Sequence, residues 1–97
     1  MKNLKEVVEK NLDKLILYVP IVARVHGGTH PEFHKVKSVF DQMLPKMQNL
    51  EAQTPELDSE FEELRRVTDH YEVPTDVCES YEAVYQMLEE LDQAYTK

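Results

Sequence analysis

The chain has 97 residues and a mass of 11.4 kDa, which is the length of one small domain with no room for a second core. Its 41% hydrophobic and 31% charged residues, with two glycines and five prolines, are globular proportions that exclude collagen, low complexity and disorder. Nineteen acids against eleven lysines and arginines give a net charge of −8 and a pI near 4.9, so neither nucleic acid nor an anionic membrane surface is an expected partner.

The single cysteine, Cys78, allows no internal disulfide. With no signal peptide and no run of ~20 apolar residues, the expected setting is the reducing cytoplasm. The charge is unevenly spread. Residues 1–29 carry five cations against three acids, a net of +2, whereas residues 54–97 carry thirteen acids against Arg65, Arg66 and Lys97, a net of −10. The back of the chain therefore presents an acidic exterior, of the kind that solvated helix faces commonly show.

In chain order, residues 4–25 carry Leu4, Val8, Leu12, Leu15, Val19 and Val22 at alternating steps of three and four, the period of a helix turned to a core. Pro20 interrupts this pattern and predicts a kink or break, because it removes a donor and crowds the carbonyl of Ile16. Gly27 and Gly28 are expected to end the helix in the left-handed conformation. A second helix should open at His30 and Pro31, with His30 as its cap. Its stripe is Phe33, Val36, Phe40, Met43, Met47 and Leu50, and Pro45 is expected to bend or stop it near Leu44. Thr54 and Pro55 read as the cap and first residue of a third helix with Leu57, Phe61, Leu64, Val67 and Tyr71 on its buried face. After Val73 and Pro74, Thr75 is the candidate cap of a fourth helix, with Val77, Tyr81, Val84, Leu88, Leu91 and Tyr95 as its stripe. No strand pattern competes, so residues 1–97 read as a single all-α domain, an up-down-up-down four-helix bundle.

Metal sites in such bundles are built from His and carboxylates that point inward from facing helices. His26 continues the first helix's stripe four residues after Val22, which makes it the candidate metal ligand; the alternative is a core or helix-capping histidine. His30 and His34 stand four apart, but Gly27 to Pro31 breaks the continuity an i, i+4 metal grip requires, so surface positions are expected. His70 ends the third helix. Cys78 has no partner for CxxC chemistry and reads as a small buried side chain. No Ser-His-Asp set or Gly-rich phosphate loop is present, so no catalytic residue is assigned. Tyr81, Tyr85 and Tyr95 read as core and rim.

The segment Val22-Ala23-Arg24-Val25-His26-Gly27-Gly28-Thr29-His30-Pro31-Glu32-Phe33 resembles the "VARVHGxxHPEL" stretch of the iron-sulfur cluster repair proteins. Their C-terminal domain is a hemerythrin-like di-iron bundle. Residues 61–91, from Phe61 through Leu64-Arg65-Arg66 and Asp76-Val77-Cys78-Glu79-Ser80-Tyr81 to Leu88-Glu89-Glu90-Leu91, resemble that family's "LRxLTxxYxxPxDACxTYxALYxxLxELE" block. The two stretches run in the right order and cover about half of the chain. The resemblance implies a hemerythrin-like fold and a di-iron cofactor.

The ligand pattern departs from the family's five histidines and two glutamates. Only His26 maps onto a ligand. The position ~six turns upstream falls near Lys5, and Lys46-Met47-Gln48-Asn49-Leu50-Glu51 replaces a ligand-bearing segment. Leu57-Asp58-Ser59-Glu60-Phe61 stands where a histidine should open the third helix. The sequence ends at Lys97, before the family's last His and Glu, and begins without the cluster-sensing region of many relatives.

The expectation is therefore a degenerate, shortened hemerythrin-like member that acts as a non-catalytic helical module and does not retain the di-iron centre. One alternative is an iron-binding repair protein that completes its site with His26, His30 or His34 across a dimer; another is an acidic interaction module. A homodimer or another protein partner is expected. Pro45 and the stretch to Thr54 should shorten one element and leave Val8, Leu12, Leu88 and Leu91 uncovered, favouring an antiparallel two-fold contact between the +2 and −10 halves.

Overall fold

The computed structural model describes residues 3–49 and 56–96, and these form α1 (Leu4–His26), α2 (Glu32–Gln48), α3 (Asp58–Thr68) and α4 (Glu79–Thr96) with no strand among them. All four helices pack around one apolar core. Asn11 and Glu90 meet at one level of α1 and α4 while His26 and Cys78 meet at the other, so these two helices run antiparallel. Lys46–Glu60 and Lys35–Glu63 contacts show the same for α2 and α3. No helix among the described residues is long and apolar enough to cross a membrane.

The start of α1 is fixed by Asn3, whose side-chain Oδ1 accepts a hydrogen bond from the Glu6 backbone N–H at 2.9 Å. Contrary to expectation, Pro20 neither breaks nor ends the helix. Pro20 is exposed and Ile16 is 39% exposed, so the carbonyl that loses its donor lies on the side turned to water and needs no protein partner. Pro45 behaves the same way in α2: it and Asp41 are exposed, and the helix continues to Gln48 with Met43 and Met47 both buried.

The glycines correct a second expectation. Gly27 has φ −60° and no glycine has positive φ. What Gly27 supplies is room, because a Cβ there would collide with the His34 ring and the Ala23 carbonyl. The α1 terminus is closed by Thr29 and His30 N–H groups donating to the His26 carbonyl at 3.1 and 2.7 Å.

At α2 the N-cap is Pro31, and the His30 side chain does not cap the helix but reaches elsewhere. Thr54, Pro55 and Leu50 lie outside the described residues. α3 begins at Asp58 after Leu57, whose N–H donates to the Tyr95 hydroxyl at 2.9 Å. Thr75 is not the cap of α4, which starts at Glu79; the Cys78 carbonyl accepts its first-turn bond from Glu82 at 3.2 Å.

The expected stripes form the core, with Leu15, Val19, Phe33, Val36, Phe61, Leu64, Tyr81 and Leu88 all essentially inaccessible. Val8, Leu88 and Leu91 are buried and Leu12 half-buried, so the stripe that was to be uncovered is covered within the chain. Because α2 runs through Pro45, Met47 reaches the level of Val8 and Leu12. Among the described residues the large apolar side chains left exposed are instead Ile16, Leu17, Ile21 and Val25 on α1.

Candidate functional site

The turn between α1 and α2 and the loop before α4 bring His26, His30, Glu32, Asp76 and Cys78 to one end of the molecule, around the ring of Tyr81. His26 Nε2 lies 3.0 Å from Cys78 Sγ. Its ring stands edge-on to Tyr81 at 5.5 Å between centroids and 88° between planes. The His30 ring meets the same tyrosine at 5.6 Å and 64°. Tyr81 is fully buried, and its hydroxyl shares a 2.9 Å hydrogen bond with that of Tyr85. Burial, reinforced by that bond, pushes the Tyr81 phenol far above its ordinary range.

His30 is the most tightly held of the polar groups here. Nδ1 donates to Glu32 Oε2 at 3.0 Å and Nε2 donates to Asp76 Oδ1 at 2.9 Å. The Glu32 hydrogen bond chiefly raises its pKa above the ordinary 6.5; desolvation, next in size, opposes it, and the Asp76 hydrogen bond and both carboxylate charges add to the rise. The doubly bonded imidazolium clips the start of α2 to the loop before α4.

Of the sequence candidates, His26 lies half-buried at the end of α1, where it meets Cys78. Cys78 is exposed rather than buried, because it precedes α4 instead of lying on the helix's inner face. His34 is exposed beside Gly27, and His70 is exposed beyond α3, away from the other histidines. The site implied by the family resemblance was tested against the interior. Val19, Val22, Phe33, Val36, Phe61, Leu64, Val84 and Leu88 occupy it, and all are buried and apolar. Among the described residues no three or more His, Cys, Asp or Glu side chains gather where they could hold a metal ion. These residues do not fit a di-iron centre, which requires convergent carboxylates and imidazoles.

Two features escaped the sequence reading. Asp92, buried between α3 and α4, accepts from Arg65 Nε and Nη2 at 2.8 Å each and from the Tyr71 hydroxyl at 2.7 Å. An acid four residues after Leu88 and beside Leu91 was its only signal. The second is the exposed apolar row on α1, written plainly in the four-residue spacing Leu17, Ile21, Val25. No protein-family model, no curated protein and no solved structure matches this chain.

Proposed function

We propose that this chain is a ligand-depleted relative of the iron-sulfur cluster repair proteins, a hemerythrin-like four-helix bundle that acts as a non-catalytic helical module in a reducing cytoplasm. The observation that supports this reading is the interior. Side chains from α1, α2, α3 and α4 meet there as valines, leucines and aromatic rings, all buried, where a di-iron protein needs oxygen and nitrogen donors. The polar groups at the histidine end already satisfy one another: His30 holds two carboxylates and His26 faces Cys78. Recruiting them to an ion would break those bonds. Iron analysis after anaerobic loading with ferrous salt and desalting tests the reading. Less than ~0.1 iron per chain is expected, unchanged in His26→Ala; retention near two irons per chain would favour a repair protein instead.

A further inference from the structure

Cys78 is exposed where the chain enters α4, with an imidazole beside it: His26 Nε2 lies 3.0 Å from the sulfur. A thiol S–H is a donor, and a neutral imidazole nitrogen is the better acceptor of the two groups, so Cys78 donates to Nε2. The two histidines at this end are unlike. His30 is held by Glu32 and Asp76, whereas among the described residues His26 Nε2 has the sulfur as its partner, and the ring is fixed edge-on by the buried Tyr81. A nucleophile, a base within hydrogen-bonding reach and a third group that orients the base are the parts of an activated thiol. The position adds to this. The Cys78 carbonyl accepts the first-turn bond of the 18-residue α4, and the free N–H groups of that turn favour negative charge developing nearby.

We propose that Cys78 is a modification site for small-molecule disulfides, with His26 as the proton acceptor; the site goes beyond the functional reading above and does not depend on it. The Cys78 sulfur attacks one sulfur of the disulfide while its proton passes to His26 Nε2. A bond forms between Cys78 and that sulfur, the reagent's own S–S bond breaks, and the departing thiolate takes the proton from His26 and leaves as a thiol. No further oxidant is consumed, because one half of the reagent is reduced as Cys78 is oxidised. Cys78 is the chain's only cysteine, so no second thiol of the chain expels the new group, and the mixed disulfide lasts until a free thiol from solution removes it. The surroundings select the reagent. Asp76 is 67% exposed in its side chain, and Glu79 and Glu82 are exposed on the first turn of α4. A disulfide bearing amines is drawn in and one bearing carboxylates is repelled. The same carboxylates disfavour negative charge building on the sulfur, and His26 and the α4 N-terminus offset them.

Intact mass followed against time tests the proposal, with cystamine added to the full chain. The wild type should gain a single adduct, absent in Cys78→Ser, at a rate about tenfold above that of the same chain unfolded in urea. His26→Gln keeps a polar side chain but cannot take up a proton, and should lose about that tenfold with helicity unchanged. The sign separates this role from a structural one, because removing a histidine that only shielded the sulfur would speed the reaction. Dithiodiglycolate, normalised like cystamine to its rate with N-acetylcysteine amide, should react about tenfold more slowly, and added salt should narrow the gap. A folded rate no higher than the unfolded one overturns the proposal, as does a His26→Gln rate equal to or above the wild type's. Equal normalised rates for the two reagents at low salt overturn the choice of an amine-bearing disulfide. The iron measurement is separate from all of these outcomes, so failure here and failure of the functional reading are distinguishable.

Discussion

The two ends of α4 are held by different kinds of contact. At its start, the loop residues Asp76 and Cys78 meet His30 and His26 at the surface, where Asp76 is 67% exposed in its side chain. Toward its other end, Asp92 is 5% exposed and gathers Arg65 from α3 and Tyr71 from the turn that follows. Water competes for the first set, whereas in the second Asp92 and Tyr71 are buried and only the half-buried Arg65 reaches solvent. Surface ion pairs are worth little, whereas removing one partner of a buried pair strands the other. The first end is therefore adjustable and the second is a lock.

What the lock restrains is visible in the backbone. Asp69, His70 and Tyr71 all have positive φ, at 54°, 60° and 65°, a conformation that costs a non-glycine residue about 1–2 kcal/mol each. Thr68 supports this turn by accepting the Tyr71 N–H at 2.8 Å on Oγ1 and donating from the same hydroxyl to the Leu64 carbonyl at 2.6 Å. Asp92 holds the Tyr71 ring from the other side. Asp92→Ala should break the contrast between the ends most severely. It leaves the buried Tyr71 hydroxyl without its acceptor, unpairs the half-buried Arg65 and frees the turn, at a cost of about 2 kcal/mol. Urea unfolding would measure this; a loss no larger than that of an exposed Glu→Ala change would show that the lock carries no weight.

The same contrast explains what could be read in advance. Helix faces were legible because burial follows a period: Leu15, Val19, Phe33, Phe61 and Leu88 fall on their stripes and are inaccessible. The prolines misled because both lie off the apolar stripes, where a helix can continue through a proline at little cost. Pro20 and Pro45 fall on the exposed side, where a lost backbone bond is replaced by solvent. Gly27 was legible as special but for the wrong reason, since its need is clearance from His34 and not left-handed freedom. The left-handed turn itself falls on Asp, His and Tyr, without the glycine that would have announced it. His26 was legible as a helix-end histidine on the inward stripe, a candidate metal ligand; that it meets Cys78 depends on a contact 52 residues away in sequence, which spacing cannot reveal.

A milder change sharpens the description of the locked end. His70 is exposed and has φ 60°, so glycine there relieves the left-handed cost while adding entropy to the unfolded chain. His70→Gly is expected to stabilise by about 0.5–1 kcal/mol, the difference between those two effects. His70→Ala should give no such gain. Equal unfolding midpoints for the glycine and alanine variants would place the strain elsewhere.

The smallest expected effect lies at the adjustable end and is read through pH. His30 donates to both Glu32 and Asp76, and its pKa stands above the ordinary 6.5 in the folded chain. A raised folded value means the folded state binds the proton more tightly than the unfolded one. The stabilisation is then fully present below about pH 6.5 and is lost as pH rises through the folded value, when the imidazolium becomes neutral and one of its two carboxylates loses its donor. Raising the pH from about 6 to 8 should lower the wild-type melting temperature more than that of His30→Gln, which cannot titrate there. Hydrogen exchange in the first turn of α4 should accelerate over the same interval, because Asp76 leads directly into it, while amides around Asp92 stay protected. If the two proteins showed the same pH slope, the clip between α2 and the loop before α4 would be holding nothing, and the adjustable end would owe its order to the Tyr81 ring and the His26–Cys78 contact.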